Sequence, residues 1–270
     1  MIEALVQAEH NGRISPAAVR GNLLLFLMAG HETSANALHF AITALACHPD
    51  IQKELQSSLD KLYANTAPSM WSYKEHFVAL ERSYTSAVVH EILRLYPSLP
   101  FFLRKIGPVG ESIQLNNLSH TIPPDTTVFV NVSAVHQHPM IWDSNSPSPN
   151  EHKPYPFSSF NPSQWLETDG KVSTRPDGAY IPFSIGPRGC LGYKLAFVEL
   201  CAIIARIFKE YSVELVTVEK EGMSEQARAT AWQDALMVTE ERMSAGVWFD
   251  IGLKMKSVPI KFIRRERNIE

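Results

Sequence analysis

After Pro16 nothing in the sequence stops a helix until Pro49 except two isolated glycines, Gly21 and Gly30. At 1.5 Å per residue such a helix is a rod roughly 50 Å long, well beyond the ordinary length in globular proteins. Both ends are marked. Ser15 can accept a hydrogen bond from the first turn, and proline is favoured at the first helical position. Pro49 disfavours helical backbone at His48 and so sets the stop. Around residues 23–29 the rod is apolar on most faces, which predicts that it runs through a core instead of lying on a surface. A fold containing it must be mainly helical, with the other elements packed around one long axis.

The remaining periodicities are shorter. Residues 2–9 are weakly helical and end at the Asn11-Gly12 turn. Ile51, Leu55 and Leu59 at four-residue spacing predict a helix over 49–62. Another is expected over 80–96, closed by Pro97, and a further strong one over 191–211. Between 100 and 135 the period changes. Segments 112–115, 121–122 and 127–132 read as short strands, with Pro123-Pro124 in a turn. Residues 136–182 are dense in Pro, Ser, Asn and His and predict a long coil, which inside a compact domain has a functional reason. In the tail, 213–218 and 258–263 are strand-like and flank a polar insert at 219–245. The whole is expected to be one domain over residues 1–270, mainly α with small β-sheets.

Composition removes several classes. With 25 basic and 28 acidic residues the formal charge is −3. The arginines cluster only at Arg264, Arg265 and Arg267, so there is no electrostatic case for nucleic acid. Cys47, Cys190 and Cys201 form no C-x-x-C pair, which supports neither a zinc ribbon nor a disulfide framework. The apolar run at 23–30 is far too short to span a bilayer. The first residues carry Glu3 and Glu9 and no basic leader, unlike a signal peptide. The chain opens as though residues before Met1 were missing.

Residues 183–192 read FSIGPRGCLG and place Cys190 between a glycine-rich loop and a helix. Gly186, Gly189 and Gly192 remove side chains around the sulfur, so a flat ligand can approach the backbone. The following helix would aim its unpaired N–H groups and positive dipole end at Cys190, and Arg188 adds positive charge. Both favour the thiolate, as a nucleophile or a metal ligand. Cys47 and Cys201, in apolar helical stretches, read as buried thiols. Within the rod, Gly30 loosens the helical ladder or lets a bulky group pass close. Next to it, Thr33 offers a hydroxyl and Glu32 a carboxylate, a pair able to relay protons. The alternative is a threonine bonded back to its own helix. Glu91 and Arg94 stand at i and i+3 on one helix face, where the generic alternative is a solvated surface pair. His31-Glu32 and His90-Glu91 lack the second histidine of a zinc H-E-x-x-H helix, since Ala35 and Arg94 hold those positions. Trp142, His120 and His152 read as turn and surface residues.

FSIGPRGCLG matches F-x-x-G-x-R-x-C-x-G, and by it the chain resembles the cytochrome P-450 family, the haem-thiolate monooxygenases. Three further segments fall in the family's order. Ala29-Gly30-His31-Glu32-Thr33-Ser34 resembles A-G-x-[DE]-T-[ST], Glu91-Ile92-Leu93-Arg94 resembles E-x-x-R, and Phe160-Asn161-Pro162-Ser163-Gln164-Trp165 resembles F-x-P-x-R-[FW]. The resemblance runs from about Ser15 to Arg265 and corresponds to roughly the C-terminal half of a eukaryotic or fungal member.

This resemblance implies the C-terminal portion of the cytochrome P-450 fold and haem b (iron protoporphyrin IX) as cofactor, with Cys190 as the axial ligand. Phe183, Gly186, Arg188 and Gly192 would form the loop around the sulfur, with Phe183 packed near it. Arg104 would reach a haem propionate, and so would His136, in a segment where Gln137 departs from the family's H-R-x-P. Thr33 and Glu32 would be catalytic, steering protons so that one oxygen of O2 leaves as water and the other enters a C–H bond. Glu91 and Arg94 would form a structural ion pair behind the haem. Gln164 departs from the arginine that completes a triad with them. It offers two donors and no charge against five donors in a rigid fork. Glu91 would then keep a neutral hydrogen bond and lose a charged partner.

Electrons would come from NADPH through a partner NADPH-cytochrome reductase, since the sequence holds no G-x-G-x-x-G or Walker loop. The substrate would be small and apolar, because residues 25–29, 98–102 and 245–249 suggest an apolar pocket. The family's N-terminal half has no counterpart in the match, so a truncated chain is expected, with one side of the long helix and one haem face uncovered. Family members of eukaryotes sit on the cytosolic face of the endoplasmic reticulum through an N-terminal anchor, and membrane association is expected only through that absent segment. Two other readings stand beside this one. One is a catalytically inert remnant or interaction module that keeps the motifs. The other is a cysteine-dependent hydrolase with Cys190 as nucleophile, for which no local histidine signature exists.

Overall fold

The structure is a computed structural model, and it describes residues 2–64, 66–142, 160–167, 176–218, 222–249 and 252–266. Helix α1 (Ile2–His10) ends in the Asn11-Gly12 turn, and α2 (Pro16–Cys47) is the predicted rod. Ser15 Oγ accepts the N–H of Ala18 at 3.2 Å, and the chain turns at His48 into α3 (Pro49–Leu62). After a 3-10 turn at Pro68–Met70 come α4 (Tyr73–Glu81) and α5 (Tyr84–Leu95). Strands β1 (Phe101–Lys105), β2 (Glu111–Leu115), β3 (Leu118–Ile122) and β4 (Thr127–Asn131) precede the short helices α6 (Val132–His136) and α7 (Pro139–Trp142). Single 3-10 turns at Pro162–Trp165 and Gly186–Arg188 lead to α8 (Tyr193–Glu210) and β5 (Tyr211–Leu215). The tail holds α9 (Glu225–Ser244), β6 (Val247–Phe249), β7 (Gly252–Lys254) and β8 (Ile260–Arg264). Among the described residues the strands form four antiparallel pairs: β1 with β4, β2 with β3, β5 with β8 and β6 with β7. The fold is mainly α with small β-sheets, as the sequence predicts.

One core joins the second half of α2 to α3, α4, α5, α8, β5 and α9. The second half of α2 supplies Ala37, Phe40, Ala41, Ala44 and Leu45, against Leu55 and Leu59 of α3, Val88 and Ile92 of α5, and Ile204 and Phe208 of α8. Each large apolar side chain of this kind contributes about 1.5–3 kcal/mol on full burial. Phe40 stacks flat on Tyr96 with ring centroids 4.5 Å apart. Two buried glutamines one turn apart join α3 to β5. The amide of Gln52 accepts the N–H of Val213 at 2.8 Å and donates to its C=O at 2.8 Å, so it pairs with β5 as a neighbouring strand would. Gln56 repeats the contact at Tyr211 O and Ser212 Oγ.

The structure departs from the sequence expectation in four places. The apolar stretch of α2 does not lie in the core, because Leu24, Leu25, Leu27 and Met28 are 54–70 % exposed. Helical periodicity cannot say which half of a long rod has neighbours. Here α3, α5 and α8 all pack on residues 37–47. The helix expected over 80–96 is α5, which starts only at Tyr84, and α4 stands before it. Ser83 sets that start by donating to Leu80 O and accepting the N–H of Thr85, which ends α4 and caps α5. The polar insert contains α9, capped by Ser224 Oγ on Ala227 N and seated through Thr239 and Met243. Strands β1, β6 and β7 complete pairs that short local patterns do not announce.

Candidate functional site

The loop from Phe183 to Gly192 is closed by the N–H of Cys190, which donates to Phe183 O at 2.9 Å. Inside it, Gly189 donates to Gly186 O at 2.9 Å to form the 3-10 turn. Gly186 takes φ +73°, a conformation that a side chain strains. A Cβ at Gly189 would lie 3.2 Å from Gly186 O and would press on that carbonyl. The thiol of Cys190 is exposed, whereas Cys47 and Cys201 are buried as expected. Burial pushes the Cys47 thiol up to about 12 and the Cys201 thiol up as well.

The ring of Phe183 lies against Tyr193 at the start of α8, with centroids 6.3 Å apart. Arg188 is exposed. Arg104 of β1 reaches the same loop. It stacks over Phe102 and donates through Nη2 to Ser184 Oγ at 2.7 Å.

On α5 lies a buried charge network. Glu91 and Arg94 on α5 are 0 % and 3 % exposed, so the solvated-pair alternative does not hold. The pair is bidentate: Arg94 Nε donates to Oε2 at 2.8 Å and Nη2 to Oε1 at 2.7 Å. Gln164 Nε2 donates to both carboxylate oxygens, at 3.0 and 2.9 Å. The triad therefore persists with a neutral third member. Two donors that the motif reading did not foresee add to it, the N–H of Asn161 and Nε1 of Trp165, each at 2.9 Å. Trp142, half-buried, is drawn into the same cluster, over Arg94 and 5.4 Å from Trp165. His120 is exposed, and His152 lies outside the described residues. Because Gln164 bonds a buried carboxylate, Gln164→Leu should cost about 2 kcal/mol, read as a lower urea midpoint with unchanged slope.

His136 is not placed as the resemblance implies. Its ring is fully buried. Nε2 accepts the N–H of Ile181 at 2.8 Å, which leaves Nδ1 as the donor to Arg94 O at 3.3 Å. Both nitrogens are taken by backbone, so the ring has none for a propionate. Its role here is to tie the charge network to the stretch of chain that enters the cysteine loop at Phe183. Desolvation pushes His136 down to about 4, and it does the same to His90, which bonds the hydroxyl of Tyr180. In an unfolded chain both would titrate near 6.5. Between those values the unfolded state binds protons that the folded state refuses. Stability is therefore full above about pH 6.5 and falls by about 1.4 kcal/mol per pH unit for each histidine down to about 4. Urea unfolding at about pH 7 and about pH 5.5 measures this, and equal stabilities would show that the rings are not held neutral.

Thr33 Oγ1 donates to Ala29 O at 2.6 Å, the back-bonded arrangement. Glu32 forms an ion pair with Lys254 of β7. Ser98 Oγ donates to Thr33 O at 3.0 Å, which brings the start of the suggested pocket segment 98–102 onto α2. Among the described residues no hydrogen bond or ion pair joins Thr33 or Glu32 to the cysteine loop, and no group of three His, Cys, Asp or Glu side chains could hold a metal ion.

Comparison with known proteins decides the family. The family model for Cytochrome P450 matches residues 1–239. The chain belongs to the cytochrome P450 family. Cytochrome P450 3A13 of Mus musculus is 32% identical over 206 residues, covering 76% of this chain and 36% of that protein. Cytochrome P450 3A41 of the same species is 30% identical over 223 residues, covering 79% of this chain and 39% of its own length. Cytochrome P450 4c3 of Drosophila melanogaster is 28% identical over 216 residues, 80% of this chain and 36% of the relative. The chain thus spans little more than a third of the length of the curated relatives it matches.

P450 proteins are haem-thiolate proteins, and the residues present fit such a group. The one exposed thiol is a soft sulfur donor. Leu191 and Leu195 beside it, and Leu25, Leu27 and Met28 on α2, are uncovered apolar side chains. A Cβ at Gly186 or at Gly30 would meet no atom within 4 Å, so both backbones are open to a flat ligand. By contrast, a surface cleft of about 510 Å³ is lined by Lys53, Gln56, Ser57, Asp60, Lys61 and Arg265 and contains none of the candidate residues.

Proposed function

We propose that this P450 chain binds haem b through Cys190 and acts as a monooxygenase on a small apolar substrate. The observation that carries the reading is the exposed sulfur of Cys190 in a glycine-rich loop, whose entering chain at Ile181 is tied through His136 to the buried Glu91–Arg94 pair. Haem, when bound, supplies the oxygen chemistry, and the protein positions it. Cys190 would donate its thiolate as axial ligand. Gly186 and Gly192 keep the loop clear of side chains, and Phe183 and Arg188 precede the sulfur in sequence. Arg104, already held on Ser184, would meet a haem carboxylate with its remaining donors. The Glu91–Arg94–Gln164 cluster and His136 would keep the loop in register with α5. Thr33, by turning its hydroxyl from Ala29 O, and Glu32, held beside it by its ion pair, would deliver protons.

Two electrons would come from NADPH through a partner reductase. Placement on the cytosolic face of the endoplasmic reticulum belongs to the same proposal and rests on the resemblance. No helix among the described residues is long and apolar enough to cross a membrane. The test is a reduced carbon-monoxide difference spectrum, followed by NADPH consumption with an added reductase. A thiolate-type Soret band with substrate-dependent consumption is expected, and its absence from folded, haem-supplied protein overturns the reading.

A second reading is a haem-binding module without turnover. The back-bonded Thr33 favours it. It predicts the thiolate spectrum without NADPH consumption.

A further inference from the structure

We propose that Lys254 is a positioning residue for Glu32, and that the β6–β7 hairpin of the tail fixes where that carboxylate lies on α2. The inference deepens the function proposed above and rests on its proton-delivery step. Three observations carry it.

The first is the ion pair itself. Lys254 and Glu32 are both partly buried, with side chains 35 % and 22 % exposed. A pair at this depth is less screened than one in open solvent. The second is the stitching around the pair. The N–H of Leu253 donates to Ser98 O at 2.8 Å, and Ser98 Oγ donates to Thr33 O at 3.0 Å. One strap thus runs from β7 through Ser98 to the backbone next to Glu32. The third is close packing. A Cβ at Gly252 would lie 3.1 Å from Ser98 O and 3.3 Å from the amide nitrogen of Asn36, so β7 sits close against α2 and a side chain there would press on both. A strand held this closely cannot shift without moving the ammonium that it presents to Glu32.

The consequence is mechanical. With Lys254 in place, the Glu32 carboxylate is held toward the tail hairpin, one residue from the hydroxyl it would serve. Losing the ammonium frees the carboxylate to sample other rotamers and removes its fixed counter-ion. A carboxylate that accepts and passes on protons does so less efficiently when it is not held at one place. Electrons from NADPH then reduce O2 only as far as hydrogen peroxide, which takes up two electrons and two protons and leaves the substrate unoxidised.

The test uses the whole chain with Lys254→Met, Lys254→Arg and Glu32→Gln. Amide hydrogen exchange on the purified protein is the first readout, and it needs no activity. In Lys254→Met, exchange at residues 252–254 and 32–37 should quicken about threefold, the scale expected for one partly exposed ion pair. Lys254→Arg should restore it. The second readout is the ratio of peroxide to product in haem-loaded protein with reductase. Lys254→Met should raise the ratio several-fold, Lys254→Arg should return it toward wild type, and adding Glu32→Gln to Lys254→Met should raise it no further. Unchanged exchange overturns the proposal. Quickened exchange with an unchanged ratio also overturns it, since Lys254 would then be a structural strap alone. Failure of the underlying function is recognised separately, from the wild-type chain's own spectrum. In that case the exchange arm alone decides whether Lys254 places Glu32.

Discussion

Glu91→Ala should destabilise the fold by about 3–5 kcal/mol, the scale for removing one partner of a buried ion pair. The cost follows from what is left behind. The carboxylate accepts from Nε and Nη2 of Arg94, from Nε2 of Gln164, from Nε1 of Trp165 and from the N–H of Asn161, all between 2.7 and 3.0 Å. Without it, a guanidinium that is 3 % exposed loses its counter-charge, and three neutral donors lose their acceptor. Since domains are stable by only about 5–15 kcal/mol, a large part of the whole is at stake. The double variant Glu91→Leu with Arg94→Met should cost less than Glu91→Ala alone, because no charge is then buried unpaired. Urea midpoints at neutral pH decide the matter. A double variant whose cost equals the sum of the singles would mean that the two residues do not act as a pair.

The same cluster shows what a sequence of this kind makes legible. The bounds of α2 and α3 follow from Ser15, Pro16 and Pro49, because proline and capping chemistry act over one turn. Glu91 and Arg94 could be paired on paper, since i and i+3 on a helix are neighbours in any fold. The donors from Asn161 and Trp165 could not, because they arrive from a different part of the chain. The loop around Cys190 was readable because three glycines and a cysteine are needed together at short range. The place of His136 was hidden for the opposite reason. Its ring is claimed by Ile181 N and Arg94 O, and nothing local to residue 136 reveals either. The exposure of Leu24, Leu25, Leu27 and Met28 and the ion pair of Glu32 with Lys254 are likewise facts of tertiary arrangement, visible only when the distant segments are in place. Gln52 and Gln56 carried a signal that could have been used. Two glutamines stand one turn apart beside Leu55 and Leu59, where an amphipathic helix would bury them, and buried amides require partners.

Cys190→Ala should abolish the thiolate-type carbon-monoxide spectrum completely while leaving the fold in place. The two halves of this expectation have separate causes. The spectrum depends on one sulfur, and Cys47 and Cys201 cannot replace it, because both are buried in the core and burial raises both thiols. The fold is insensitive because Cys190 is exposed, and a surface substitution away from special features changes stability by about 0.5 kcal/mol or less. Alkylation gives the control. Iodoacetamide should label haem-free protein at Cys190 and spare Cys47 and Cys201, since the thiolate at an accessible position is the reactive form. Haem added first should block that label if the sulfur is its ligand. Labelling of Cys190 that proceeds equally with and without haem would place the cofactor elsewhere and leave the thiol free for nucleophilic chemistry. Such a nucleophile would need a histidine base. His136 and His90, which pack on Tyr180 just ahead of the loop, are already bonded to Ile181 N and the Tyr180 hydroxyl. The geometry therefore favours a ligand over a nucleophile, and the protection experiment tests that preference at a single atom.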